Sequence, residues 1–419
     1  MKTQLEYARA GIVTEEMKQA AQGEPVSVEQ LRESIAAGKA VLPKNRNHAF
    51  PDLRAIGEGL KTKVNANLGT SGECADAGLE EIKLEAALKA KADSIMDLST
   101  GGELGRLRRF FLEKSTVMVG AVPIYQIATE MISNHTPLEK LDADQLFRSI
   151  EKQCEEGIDY ITVHCGVTLS SMNKLETYQR IMPCVSRGGS IHMNWMRKNK
   201  KENPLYEYFD DLLAIAHKFD VTLSLGDGFR PGTIMDANDG PQLEELLILG
   251  ELTKRARNRG VQVMVEGPGH VPLQHIQAHI QLQKRLCEGA PFYVLGPLPT
   301  DVAAGYDHIT AAIGGALAGA AGADFLCYVT PAEHLGLPNA DDVYQGVMAA
   351  RIAAHVADIA KELPGAIESD RRISTARQKL DWEGVISESL DPDLVSQRLQ
   401  VTEDREACSM CGKLCAVKI

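Results

Sequence analysis

Residues 221–232, VTLSLGDGFRPG, lead into GPQLEELLILGELTKRARNRG over 240–260 and then VQVMVE over 261–266. A β-branched apolar run, a Gly-rich polar turn, an amphipathic stretch and a second apolar run make one βαβ unit. The amphipathic stretch has Gly at each end and basic residues in its last turn, as a crossover helix should. The same alternation extends outward from Lys63 to about Val329. Candidate strands are VNANLG (64–69), SIMDL (94–98), TVMVGAV (116–122), YITVH (160–164), CVSRG (184–188), VTLSLG (221–226), VQVMVE (261–266), FYVLG (292–296) and DFLCYV (324–329). Alternating strands and helices over about 250 residues predict an α/β fold, a (β/α)8 barrel. Nine candidates are one more than the barrel needs, which leaves one as an accessory strand.

The flanks read differently. Residues 1–62 are charged and helical in period, with VTEEMKQAAQ and VSVEQLRESIAAG each offering a Ser/Thr start and a nearby Glu or Gln, and form a small N-terminal module. The barrel occupies 63–338, and 339–419 is an Ala-rich, then charged, helical C-terminal domain that ends abruptly in cysteines. The full 419 residues carry 45 Lys+Arg against 57 Asp+Glu, a net charge of −12 with no basic block, which excludes a nucleic-acid backbone binder. Neither a leader nor a run of about 18 apolar residues is present, so the sequence predicts a cytoplasmic protein with no membrane association. Nine scattered cysteines point to reduced thiols rather than a disulfide scaffold.

A barrel of this kind places its chemistry at the carboxyl ends of the strands, and the tails of these runs are rich in polar groups. Asn67, Met96, Asp97, Tyr125, His164, Ser186, Arg187, Asp227, Arg230, Glu266, His270, Glu333 and His334 all fall there. Loops are polar anyway, so any one of these residues alone says little. SRGG, GDGFRPG and EGPGH together say more, because Gly-rich turns beside charged groups let the backbone approach a ligand. SRGG offers a hydroxyl, a guanidinium and free N–H groups, as a phosphate monoester requires. The barrel therefore suggests a small phosphorylated metabolite.

The terminal CSMCGKLC spaces Cys408, Cys411 and Cys415 by two and then three residues. Three thiolates on one loop can hold three irons of a [4Fe–4S] cluster and leave the fourth open. Zinc would need a fourth protein ligand, and a redox Cys-x-x-Cys belongs near a βαβ unit. The spacing favours a cluster over these alternatives. His270 and His334 are candidate metal ligands, although a lone His is more often a hydrogen-bonded structural group. Cys74, Cys154, Cys165, Cys184, Cys287 and Cys327 read mostly as buried packing, with Cys165 and Cys184 bordering the expected site.

MDLSTGG, VPIYQ, VSRGGS, LSLGDGFRPG, LGELTKRA, VMVEGPGHVP, APFYVLGPL, GYDHITAAIGGA and CYVTPAEHLGLPN, closed by CSMCGKLC, resemble the phosphomethylpyrimidine synthase family from about residue 60 onward. The resemblance implies a radical S-adenosylmethionine lyase of thiamine biosynthesis. It would rearrange 5-aminoimidazole ribotide to 4-amino-5-hydroxymethyl-2-methylpyrimidine phosphate, releasing formate and carbon monoxide. The implied substrate contacts are Asn67, Met96, Tyr125, His164, Ser186, Arg187, Gly188, Asp227, Gly228, Phe229, Arg230, Glu266 and Tyr293. The implied ligands are His270 and His334 for a divalent metal, usually zinc, and Cys408, Cys411 and Cys415 for the cluster. A homodimer is implied, with each C-terminal loop reaching the partner's site, as is a reductase, flavodoxin or ferredoxin electron donor.

The chain departs from the family pattern in two places. Three residues separate its second and third cluster cysteines where many long members have four, and Pro183, Cys184, His192 and Asn194 stand where smaller or apolar residues are expected. A paralogous alternative is 5-hydroxybenzimidazole synthase of cobamide biosynthesis, which uses the same ribotide; GDGFRPG and LGELTKRA favour the pyrimidine enzyme. A zinc hydrolase built on His270, His334 and Glu266, or a non-catalytic metal scaffold, are the readings from other classes.

Overall fold

Eight of the nine expected strands form and close on one another. In the computed structural model, which describes residues 1–399, 410 and 412–418, they are β1 (Lys63–Leu68), β2 (Ser94–Asp97), β3 (Met118–Ala121), β4 (Tyr160–Val163), β5 (Thr222–Leu225), β6 (Val263–Gly267), β7 (Phe292–Leu295) and β8 (Phe325–Cys327). Every neighbouring pair is parallel, and β8 closes the barrel on β1 by pairing Phe325 with Lys63 and Cys327 with Asn65. The strands are buried on both faces, which is why they read as continuous apolar runs rather than alternating ones.

CVSRG is not a strand. Ser186 is instead the N-cap of the helix Arg187–Asn199, its Oγ accepting the Gly189 N–H at 3.1 Å. A short apolar run before Ser-x-x-Gly opens a helix here, because the hydroxyl satisfies a donor that the first helical turn leaves unpaired. The crossover between β5 and β6 is the helix Gly240–Asn258, capped by Asp239.

The N-terminal segment supplies the helices Gln4–Arg9, Glu15–Ala21 and Val28–Ala36, capped by Thr3, Thr14 and Ser27. It also contains a two-stranded antiparallel pair, Ala40–Val41 with Ile56–Gly57, too short to leave a periodic trace in the sequence. This segment covers the amino end of the barrel. The Gln4 N–H donates to Asp220 at 2.8 Å, the Asn45 N–H to Asp159 at 3.0 Å and the Leu42 N–H to Gln262 at 2.7 Å.

Two compact units divide the chain, 1–357 and 358–419. The helix Ala340–Ala360 runs from the first into the second, which holds Ala366–Lys379, Trp382–Glu388, Pro392–Leu399 and a single turn at Gly412–Leu414. Cys415 follows that turn and is buried, whereas Cys408 and Cys411 lie outside the described residues. Among the described residues no helix is long and apolar enough to cross a membrane.

Candidate active site

The carboxyl ends of the strands surround a cavity of about 250 Å³. Asn67 reaches it from β1, Met96 from β2, Tyr125 from the helix after β3 and His164 from the end of β4. Arg187, Asp227, Arg230, Glu266 and Tyr293 complete the expected set on its wall. Ser186 and Gly188 flank Arg187 and are buried at the helix start. Gly188 lies so close to His164 that a Cβ there would stand 2.2 Å from the ring's Cε1, so glycine is what allows the imidazole its place. Gly228 and Phe229 do not line the cavity: their N–H groups point to Glu245, and the Phe229 ring is fully buried.

Burial sets the electrostatics. It pushes Asp227 up to about 7; Arg230 draws it back down, with an ion pair at 3.0 Å, and Glu266 raises it further. Glu266 is also raised by burial, against the Thr162 and Ser224 hydroxyls that donate to its Oε1 at 2.6 and 2.7 Å. Burial drives His164 well below the ordinary imidazole value, helped by His192 and Arg230, so the ring meets a ligand uncharged. The guanidinium of Arg187 lies 4.6 Å from the centre of the Tyr125 ring, a cation–π contact that holds it at the mouth.

Cys327 is buried in the core, as the sequence reading of it as packing expects, and it has a second place as well. Its thiol lines the cavity, accepts from Asn67 Nδ2 at 3.0 Å, and is pushed up to about 12 by burial, so it is present as the neutral thiol. Thr162 and Glu333 also line the wall. Cys165 and Cys184 do not; Cys184 Sγ sits 3.5 Å from the carbonyl oxygens of Ser186 and Gly228.

His270 and His334 come together beside this cavity, ring centres 5.1 Å apart. Nδ1 of His270 faces Asp301 at 2.7 Å and Nδ1 of His334 faces Asp307 at 3.4 Å, which leaves the two Nε2 atoms as the available donors. Imidazoles backed by carboxylates are the usual partners of a divalent ion, so the donor set fits one. Among the described residues no group of three or more His, Cys, Asp or Glu converges, so other ligands would complete the coordination. His334 holds a left-handed backbone, φ 64°, a conformation costly for a side chain of this kind and typical of functional sites. A second cavity, of about 220 Å³, reaches His334 and shares Asn67, Leu98, Arg187 and Glu333 with the first.

Titratable groups gathered at one end of a closed parallel barrel define an enzyme of the (β/α)8 class. The radical SAM ThiC family matches residues 3–419. The chain is 56% identical over 420 residues to a phosphomethylpyrimidine synthase of Caldanaerobacter subterraneus subsp. tengcongensis, covering all of this chain and 97% of the relative. It is 57% identical over 419 residues to that of Moorella thermoacetica, with 100% and 97% covered, and 56% over 419 residues to that of Syntrophus aciditrophicus, with 100% and 98% covered. Among solved structures, a dihydropteroate synthase of Coxiella burnetii in complex with pteroic acid aligns with a TM-score of 0.41 at 12% identity, over 71% of this chain and 94% of that one. The chain belongs to the radical SAM ThiC family, and with membership come S-adenosylmethionine and an iron–sulfur cluster as cofactors.

Proposed function

We propose that the barrel cavity binds 5-aminoimidazole ribotide and converts it to 4-amino-5-hydroxymethyl-2-methylpyrimidine phosphate, with release of formate and carbon monoxide, as the cytoplasmic pyrimidine-forming enzyme of thiamine synthesis. The observation that carries this reading is the convergence of nine expected substrate contacts, from Asn67 to Tyr293, on one wall, in a chain whose relatives share its full length. Those relatives carry the pyrimidine synthase name, so the benzimidazole alternative gains no support from them.

The chain's own residues bind, orient and exclude water. The start of the helix Arg187–Asn199 presents free N–H groups beside the Arg187 guanidinium, an arrangement suited to the substrate phosphate. Asp227 and Glu266 have carboxyl oxygens for the ribose hydroxyls and the amine, with Arg230 balancing their charge. His164, held neutral, donates or accepts a hydrogen bond without adding charge. The adjoining cavity, which shares Arg187 and Glu333, suits S-adenosylmethionine. Cys408, Cys411 and Cys415 would hold a [4Fe–4S] cluster, which together with S-adenosylmethionine would supply one-electron radical chemistry for the substrate. A divalent ion at His270 and His334, zinc as the family resemblance implies, would supply positive charge beside the shared wall. A homodimer in which each C-terminal loop serves the partner's site, and a flavodoxin-, ferredoxin- or reductase-type electron donor, complete the proposal.

Anaerobic reconstitution with iron, sulfide, S-adenosylmethionine, a reductant and aminoimidazole ribotide tests it by mass analysis. The phosphorylated pyrimidine is expected, with formate and deoxyadenosine. A hydroxybenzimidazole, or no deoxyadenosine, defeats the reading.

A further inference from the structure

The run Asp227–Arg230 presents its outer two side chains to the cavity and turns its inner two backbone amides away from it. Both of those amides end on one carboxylate. The Gly228 N–H donates to Glu245 Oε1 and the Phe229 N–H to Glu245 Oε2, each at 2.8 Å. Glu245 belongs to the helix Gly240–Asn258 and is buried, only 2% exposed. The chain after β4 makes room for it at Gly166, where a Cβ would stand 2.7 Å from Glu245 Cγ.

The next peptide of the loop, Phe229–Arg230, is gripped too. Arg180 Nη2 donates to the Phe229 carbonyl at 2.8 Å, while Nε and Nη2 of the same guanidinium pair with the two Asp239 oxygens at 2.6 and 2.7 Å. Asp239 is the N-cap of the helix that carries Glu245. One helix start thus holds the loop's N–H groups directly and its carbonyl through an arginine. The Arg180 side chain is 1% exposed, so water does not compete for these contacts.

The grip matters because of what the loop carries. Asp227 and Arg230 are joined to each other at 3.0 Å, and Asp227 Oδ2 is buried with no partner, a valence left open at the cavity wall. Turning the peptide between Gly228 and Phe229 would swing both groups.

We propose that Glu245 and Arg180 are positioning residues that fix the Gly228–Phe229 backbone and so set the orientation in which Asp227 and Arg230 meet the substrate. This rests on the cavity being the ribotide site. Neither residue touches the cavity, so the effect is transmitted through the loop.

Glu245→Gln tests it. The amide keeps the shape but puts an N–H₂ against one of the two N–H donors, leaving a buried donor unpaired, a loss of about tenfold or more in equilibrium terms. The reconstituted full-length enzyme is compared with Glu251→Gln, an exposed position on the same helix. Glu245→Gln should weaken ribotide binding about tenfold, leave S-adenosylmethionine binding within about twofold of wild type, and raise the ratio of deoxyadenosine to pyrimidine product. A mispositioned ribose leaves the oxidant without its target, and a loss of folded enzyme alone does not change that ratio. Arg180→Lys, which keeps charge but loses the fork, should move the ratio the same way and serves if Glu245→Gln does not fold. Wild-type ribotide affinity and an unchanged ratio in the folded variants overturn the proposal, as does equal weakening of both ligands. If the wild-type enzyme itself fails to bind the ribotide, the cavity assignment fails and the proposal falls with it.

Discussion

The two ends of the barrel handle buried charge in opposite ways. At the amino end, Asp159 accepts from the His48 ring at 2.8 Å, the Asn45 N–H at 3.0 Å and the Val119 N–H at 2.8 Å. Lys63 pairs with Glu24 at 2.8 Å, both almost fully buried, and Asp324 pairs with Lys284 and the Phe292 N–H. At the carboxyl end, Asp227 Oδ2, His164 Nδ1 and both His192 nitrogens are buried without protein partners. Unpaired buried polar atoms are expensive and rare. The amino-end pairs Asp159–His48, Lys63–Glu24 and Asp324–Lys284 satisfy their charges within the chain and so stabilise the fold, while Asp227, His164 and His192 leave valences open at the carboxyl end and so suit a ligand.

The largest effect should come from the amino end. Asp159→Ala strands three donors in a site with no solvent access, and breaking such a buried pair is expected to remove about 3–5 kcal/mol. Urea unfolding would read it. The folded fraction should keep wild-type ribotide affinity, and a weaker affinity would mean that the two ends are not separable in this way. A tenfold effect is expected at the other end. Asp301 accepts from His270 Nδ1 at 2.7 Å, from Thr233 Oγ1 at 2.6 Å and from the Ile234 N–H at 3.0 Å, and its side chain is 31% exposed. Asp301→Ala should weaken zinc retention against a competing chelator about tenfold, with unfolding little changed. Unaltered zinc retention would leave the carboxylate without a part in the proposed ion site.

The barrel was legible because fully buried parallel strands leave unbroken apolar runs, and the polar tails of those runs marked His164, Asp227 and Glu266 correctly as cavity residues. CVSRG misled because five residues cannot separate a strand from the approach to a helix, although Ser186 before a Gly pair carried the capping signal. Cys327 was hidden for another reason. Along the chain it lies in an apolar run, and its polar neighbour Asn67 meets it only when β8 closes on β1. Glu245 and Asp301 have no local signature: one is an acidic residue on an amphipathic helix, the other an acidic residue in a loop, and their roles come from what folding sets beside them.

The last effect, the smallest per pH unit, is the most direct reading of the contrast, because it follows one carboxyl group through its titration. Burial holds Asp227 near 7, above its ordinary 3.8. Between those values the folded protein keeps a proton that the unfolded chain has released, so stability falls as pH rises through the window, with a slope of order 1 kcal/mol per pH unit. Asp227→Asn has no such group. The difference in melting temperature, variant minus wild type, should therefore grow from about pH 4 to 7 and level off above it. Bound ribotide should flatten the slope, since any ligand group that donates to Asp227 Oδ2 lowers the cost of ionising it. A slope that the ribotide leaves untouched would place Asp227 outside the binding surface and return it to the same structural role as Asp159.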